Sequence, residues 1–292
     1  MALIRGTLKK AMKTLVFGAS GFVGFYLKNY FKAIGTSSSD KEGYRKVNFL
    51  NKNEISHIIE SEKPELIINS AGLTNVDECE RNPELAFKLN GETVSAIIDG
   101  AKKVNAKLIQ ISTDYVFDGK TGNYKEKDKT NPINIYGKSK LAGEESTLSY
   151  ENSIILRIEM PYGINLAKNK TVFFESMINN LREGKEVNAA VDQIISPTYV
   201  GDIGKAIDIL IKNNERGIFH LASREHLSRY EFVEKIAEIF GFNKSLIRKT
   251  SLDDFKFAAQ RPKNTFLNIE KISNLIKINA LEENLNEIKS RL

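Results

Sequence analysis

Thr14-Leu15-Val16-Phe17-Gly18-Ala19-Ser20-Gly21-Phe22-Val23-Gly24 decides the fold. Its first four residues are a short apolar run, glycines follow at Gly18, Gly21 and Gly24, and Val23, Tyr26, Leu27 and Tyr30 then recur at helical spacing. A strand, a glycine turn and a helix are expected in that order. Gly18 permits the tight turn, and Gly21 lets backbone N–H groups approach a pyrophosphate. Gly24 lets the helix pack on the strand with its positive end toward the phosphates. The turn, with Ser20 inside it, predicts a dinucleotide site.

Working outward, apolar runs at 47–50, 66–68, 108–111 and 154–158 alternate with helix-like segments. The clearest of these helices are 53–60 and 83–104, the second opening on Pro83, whose missing N–H costs nothing in a first turn. Such alternation predicts an α/β fold, a doubly wound parallel sheet with helices on both faces. After Tyr162 it weakens into helical stretches at 172–182, 200–212 and 230–240 with short strands such as 218–221. The expected division is a dinucleotide-binding domain over 13–160, then a smaller helix-rich substrate lobe over 161–292, some of whose segments return to the sheet. Met12 looks like a natural start of the first strand, which makes 1–11 a frayed extension.

Composition narrows the function classes. The chain has 292 residues, 41% hydrophobic and 27% charged, which is a globular balance. Its 43 basic and 37 acidic residues give a net charge of +6, but lysines and acids interleave, so the excess reads as a solvated surface and not a nucleic-acid face. The single cysteine, Cys79, cannot form an intramolecular disulfide, and no His/Cys spacing suggests a metal cage. No apolar stretch is long enough for a membrane span or a secretion signal. A cytoplasmic protein without membrane or nucleic-acid partners is expected, with second-lobe helices available for a homodimer.

The chemistry is carried by Tyr136-Gly137-Lys138-Ser139-Lys140. On a helix Tyr136 and Lys140 share one face, about 6 Å apart along the axis. Moving a phenol pKa from about 10 toward 7 takes roughly 4 kcal/mol, which an ammonium and a cationic nicotinamide could supply together. Tyr136 is then a general acid near neutral pH. Alone the spacing is weak, because ten tyrosines in a lysine-rich chain make one such pairing expected by chance. Thr113 strengthens it, standing in Ile111-Ser112-Thr113-Asp114 at the carboxyl end of an apolar strand, where doubly wound sheets hold ligands. Asp114 is either a substrate contact or a loop-bonding carboxylate.

After the second strand, Ser37 and Ser38 replace the acid that usually holds an adenosine 2′-hydroxyl, and Lys41 and Arg45 follow. Hydroxyls and basic residues suit a 2′-phosphate, so NADPH is expected over NADH, with NADH possible.

Asn69-Ser70-Ala71-Gly72, Thr74-Asn75-Val76-Asp77, Ser112-Thr113-Asp114-Tyr115-Val116-Phe117-Asp118-Gly119, Tyr136-Gly137-Lys138-Ser139-Lys140-Leu141-Ala142-Gly143-Glu144 and Arg261-Pro262 together resemble the dTDP-4-dehydrorhamnose reductase family, of the extended short-chain dehydrogenase/reductase type. The resemblance runs from about Lys13 to Phe266, and the glycine spacing is the one that short-chain dehydrogenases use. It implies that Thr113, Tyr136 and Lys140 are catalytic. It implies too that Gly18, Ser20, Gly21, Phe22, Val23, Asn48, Phe49, Ser70, Ala71, Gly72, Thr74 and Ile111 line the cofactor, with Asn90 in a proton relay. The implied activity is NAD(P)H-dependent reduction of the C4 ketone of a nucleotide-linked 4-keto-6-deoxyhexose.

Departures stand beside the matches. Met160 occupies a position where the family usually has a tryptophan against the sugar, and Asn48 replaces an adenine-side acid. Arg261 is the expected diphosphate contact, or else an inter-lobe salt bridge. The same motifs, with Gln260-Arg261-Pro262-Lys263-Asn264, also resemble the methionine adenosyltransferase β subunit. That resemblance implies an NADP-binding regulatory subunit as the alternative.

Overall fold

The computed structural model describes residues 12–167 and 172–292, so the expected extension over 1–11 lies outside the described residues. The first part of the chain runs β1 (Thr14–Phe17), α1 (Phe22–Tyr30), β2 (Ile34–Ser37), β3 (Arg45–Lys46), α2 (Lys52–Glu62), β4 (Leu66–Asn69), α3 (Val76–Arg81), α4 (Pro83–Phe87), α5 (Thr93–Val104), β5 (Lys107–Thr113), α6 (Ile135–Leu148) and β6 (Ser153–Ile158). Then follow α7 (Phe173–Arg182), β7 (Val187–Ala190), β8 (Ile194–Ile195), α8 (Val200–Lys212), β9 (Gly217–Leu221), β10 (Leu227–Ser228), α9 (Arg229–Phe240), β11 (Ile247–Thr250), α10 (Glu270–Ser273) and α11 (Leu281–Lys289).

Seven parallel strands in the order β3-β2-β1-β4-β5-β6-β9 form the main sheet. The order reverses between β1 and β4, which opens a crevice at their carboxyl ends. Alternate residues serve opposite faces. Leu15, Phe17, Ile67 and Leu108 pack with Ile55 and Ile59 of α2 and Ile97 of α5. Val16, Ile68, Ile109 and Leu156 pack with Leu27 of α1 and Ile203 and Ile207 of α8. Burial on both faces is why these strands read as unbroken apolar runs.

Beyond β6, β7 pairs in parallel with β11 and β8 pairs antiparallel with β10, while α8 and β9 return to the main layer. The segment after Gln260 crosses back over the end of β5. Asn134 Nδ2 donates to the Gln260 carbonyl at 2.8 Å, and Gln193 Nε2 to the Pro262 carbonyl at 3.1 Å.

Two local expectations are corrected. Residues 47–50 are no strand; β3 is the exposed pair Arg45–Lys46, and Asn48 starts a turn. There the Asn48 side chain accepts the Leu50 N–H at 3.0 Å, and Asn51 caps α2 by accepting from the Asn53 and Glu54 N–H groups. Polar capping outweighs the apolar character of Val47, Phe49 and Leu50. The stretch 83–104 is likewise divided, because a π-helical turn over Lys88–Glu92 separates α4 from α5 and buries Asn90. Such turns recur at functional sites.

Candidate active site

The glycine turn is built by contact. A Cβ at Gly18, whose φ is +71°, would lie 2.6 Å from the Ala71 backbone, and one at Gly24 would lie 2.2 Å from the Gly18 carbonyl oxygen. Gly21 is the N-cap of α1, so no side chain caps the first turn, which also carries no acid. The N-terminal N–H groups around Phe22 and Val23 are thus offered to an anion, as a dinucleotide cradle requires. Ser70 supports the turn from β4, its hydroxyl donating to the Phe17 carbonyl at 2.8 Å.

The adenine side is mixed. Ser37 is buried, with its Oγ 3.2 Å from Ser39 Oγ, whereas Ser38 is exposed. Lys41 lies over the Tyr44 ring at 5.2 Å, and Arg45 turns to Glu62 at 3.4 Å. Ser38 and Lys41 therefore remain for a 2′-phosphate, while Arg45 is drawn toward α2. Asn48 spends its side-chain oxygen on the Leu50 N–H. Half-buried Phe49 meets Phe17 edge to face at 6.2 Å and lines a shallow pocket with Lys52, Lys88 and Thr93. Thr74 is exposed just after β4.

At the carboxyl end of β5, Asn134 caps α6 by accepting the Gly137 N–H at 2.8 Å. Gly137 lets that helix approach, since a Cβ there would fall 2.1 Å from the Tyr115 carbonyl oxygen. Tyr136 is thereby set beside β5, where its phenol lies against the Thr113 side chain and its ring meets Tyr115 edge to face at 5.8 Å. One turn on, buried Lys140 donates to the Ile111 carbonyl at 2.7 Å. Thr113, Tyr136, Lys140 and Ile111 are brought together as the sequence predicts.

Their electrostatics differ from expectation. Burial pushes the Tyr136 phenol well above its ordinary pKa, and the neighbouring Asp114 charge adds to this. Burial also lowers Lys140 to about 8, with Glu144 and Cys79 pulling it back up. In the chain by itself burial and Asp114 outweigh any acidifying pull of Lys140 on Tyr136, and the Lys140 ammonium donates to the Ile111 carbonyl.

Asn90 is placed as a brace. Its Oδ1 accepts the Leu73 N–H at 2.8 Å while Nδ2 donates to the Leu73 carbonyl at 3.0 Å and to Ser139 Oγ at 2.9 Å. Gly72 is required beside it, because at φ +159° its Cβ would fall 2.5 Å from Asn90 Oδ1. The side chain is committed to Leu73 and Ser139.

Asp114 accepts from Thr113 at 3.0 Å and from Thr265 at 2.6 Å, which joins the second lobe to β5. Burial nevertheless raises it to about 6. Met160 is half-buried with φ +34°, a conformation that residues other than glycine seldom adopt, and packs on the main core. Arg261 pairs with Asp77 at 3.0 Å, lies over Phe257 at 4.4 Å and donates to the Ala259 carbonyl at 2.9 Å. Asp77 also accepts the Ala258 and Ala259 N–H groups at 2.9 and 3.0 Å. Arg261 is thus part of an inter-lobe clasp, the second of its two readings.

Sequence reasoning missed Arg229 and Glu159. The Arg229 guanidinium stacks over Phe173 at 4.6 Å and faces Tyr115, Asp114 and Glu159, with a buried Nε that has no hydrogen-bond partner among the described residues. Its position at the start of α9, far along the chain from β5, left no local signal.

Residues 12–292 match the family model described as the RmlD substrate binding domain. Over 273 residues the chain is 32% identical to dTDP-4-dehydrorhamnose reductase of Aggregatibacter actinomycetemcomitans, covering 89% of this chain and 92% of that protein. It is also 32% identical over 278 residues to methionine adenosyltransferase 2 subunit beta of Pongo abelii, covering 90% of this chain and 82% of that one. A crystal structure of dTDP-4-dehydrorhamnose reductase from Bacillus anthracis in complex with NADP has a TM-score of 0.85 to it at 28% identity, covering 96% of this chain and 99% of that chain.

Proposed function

Because this chain belongs to the RmlD substrate binding domain family, we propose that it is an NAD(P)H-dependent nucleotide-sugar reductase acting on the C4 ketone of a nucleotide-linked 4-keto-6-deoxyhexose. The observation that carries the reading is the Tyr136 phenol set against Thr113, one helical turn from buried Lys140, at the carboxyl end of β5. The NADP-bound relative and the uncapped glycine cradle support a reduced nicotinamide cofactor, NADPH by preference and NADH as the possible substitute.

The residues present fit that cofactor. The N–H groups at Phe22 and Val23 would hold its diphosphate, with Gly18, Ser20 and Gly21 forming the turn. Ser38 and Lys41 would meet a 2′-phosphate, and Asn48 and Phe49 the adenine side. Ala71, Gly72, Thr74, Ile111 and Lys140 would border the nicotinamide half. The bound cofactor supplies hydride.

Tyr136 then gives its phenolic proton to the substrate oxygen as negative charge develops there. Thr113, whose hydroxyl hydrogen is given to Asp114, holds the Tyr136 phenol toward that oxygen, and Lys140 offsets the phenolate left behind. Asp114 and Met160 would face the sugar. In this reading 13–160 binds the cofactor and 161–292 mainly the substrate.

A second reading, an NADP-binding regulatory subunit, draws on the relative named methionine adenosyltransferase 2 subunit beta, at the same 32% identity. One experiment separates the two: incubation with dTDP-4-dehydrorhamnose and NADPH deuterated at the transferable position, with the product read by NMR. Deuterium at C4 supports the reductase. Bound cofactor with no product supports the regulatory subunit.

A further inference from the structure

Asp114 has a second carboxyl beside it. β5 and β6 pair Thr113 with Ile158, so the next residue of each strand, Asp114 and Glu159, leave the sheet side by side. Glu159 is 1% exposed, and neither of its carboxyl oxygens has a hydrogen-bond partner among the described residues. Its backbone is fixed by Thr198, whose hydroxyl accepts the Glu159 N–H at 3.0 Å and whose N–H donates to the Glu159 carbonyl at 2.8 Å. Asp114, by contrast, accepts a hydroxyl at each oxygen, from Thr113 and Thr265.

Arg229 from α9 faces both carboxyls, while the Tyr136 phenol from α6 and Tyr115 after β5 face Asp114. The backbone of Ser196 and Leu267 lies nearest Glu159 without reaching good hydrogen-bond geometry. Two ionised carboxylates against one guanidinium would leave a negative charge out of water and uncompensated, which costs several kcal/mol. One proton removes it. Two donated hydroxyls favour ionisation of Asp114, and Glu159 has no such support.

We propose that Glu159 is a positioning residue that carries the proton of this carboxyl pair, leaving Asp114 as the ionised acceptor that fixes the Thr113 hydroxyl. The positioning role rests on the reading of Thr113 and Tyr136 as catalytic. With its hydrogen committed to Asp114, Thr113 turns its lone pairs to the Tyr115 N–H, at 3.2 Å, and to the Tyr136 phenol. Loss of the Glu159 proton sets a second negative charge beside Asp114, whose own charge already makes the Tyr136 proton harder to give. The directions agree, since burial raises Glu159 well above the usual carboxyl range, with Asp114 adding to the shift.

The test is an NMR titration of the full chain with 13C-labelled glutamate carboxyls. One glutamate resonance is expected to remain in its neutral-acid position at pH ~7, to vanish in Glu159→Gln, and to shift to a lower midpoint in Asp114→Asn. Glutamates that all titrate in the ordinary range would overturn the proposal, even if Glu159→Gln failed to fold, because the wild-type titration alone shows it. The alkaline fall of kcat/KM is expected to move to higher pH in Glu159→Gln, and an unmoved limb would overturn the positioning role. Absence of turnover with the resonance in place would count against the reductase reading and leave the protonated Glu159 standing.

Discussion

The Asn90 amide donates to Ser139 Oγ at 2.9 Å, and that hydroxyl donates to the Tyr136 carbonyl at 2.8 Å, so a π-helical turn holds the first turn of α6. Replacing Asn90 with alanine leaves Leu73 and Ser139 without their buried partners. A loss of about 2–3 kcal/mol in urea unfolding is expected from groups left unsatisfied, together with a fall in kcat. Asn90→Asp should not restore the Ser139 bond, because an ionised carboxylate cannot donate.

Gly137 tests how closely α6 must approach β5. A methyl group there meets the Tyr115 carbonyl oxygen at 2.1 Å, so Gly137→Ala has to push the helix outward. Tyr136 then separates from Thr113, while the glycine cradle at the other end of the crevice is untouched. The expected outcome is a fall in kcat of about tenfold or more, with NADPH affinity by calorimetry near that of the wild type.

His220 gives a signed pH dependence. Arg157 makes a buried bidentate pair with Glu144 at 2.6 and 2.9 Å, and its other amino group donates to His220 Nε2 at 3.2 Å. Burial and the Arg157 charge lower His220 to about 3, so in acid the unfolded chain binds a proton that the folded chain refuses. Stability contributed by this group is present above the unfolded pKa of about 6.5 and falls by about 1.4 kcal/mol per pH unit below it. Asp114 and Glu159, whose pKa values are raised, act in the opposite sense, so the comparison must be wild type against His220→Gln. The variant's urea midpoint should fall less than the wild type's between pH ~6.5 and ~4.

Much of this molecule was legible because its signals are local. Gly18, Gly21 and Gly24 announce the turn within a few residues, Tyr136 and Lys140 share a helix face by spacing, and Thr113 ends a wholly buried strand. What escaped depends on contacts between distant segments. The π-helical turn inside 83–104 carries no distinct periodicity, since Asn90 is held there by Leu73 and Ser139. The run at 47–50 looked like a strand because side-chain capping by Asn48 and Asn51 is invisible to an apolar count. Arg261 became a clasp through Asp77, and Arg229 met β5 across the second lobe.

The most direct measurement compares kcat and cofactor affinity of wild type and Tyr136→Phe with NADPH and dTDP-4-dehydrorhamnose. Removing one hydroxyl leaves the ring packed against Tyr115 and takes away the proton donor alone. If Tyr136 protonates the substrate oxygen, kcat falls at least ~100-fold while NADPH binding holds. Near-normal turnover in Tyr136→Phe would contradict the account.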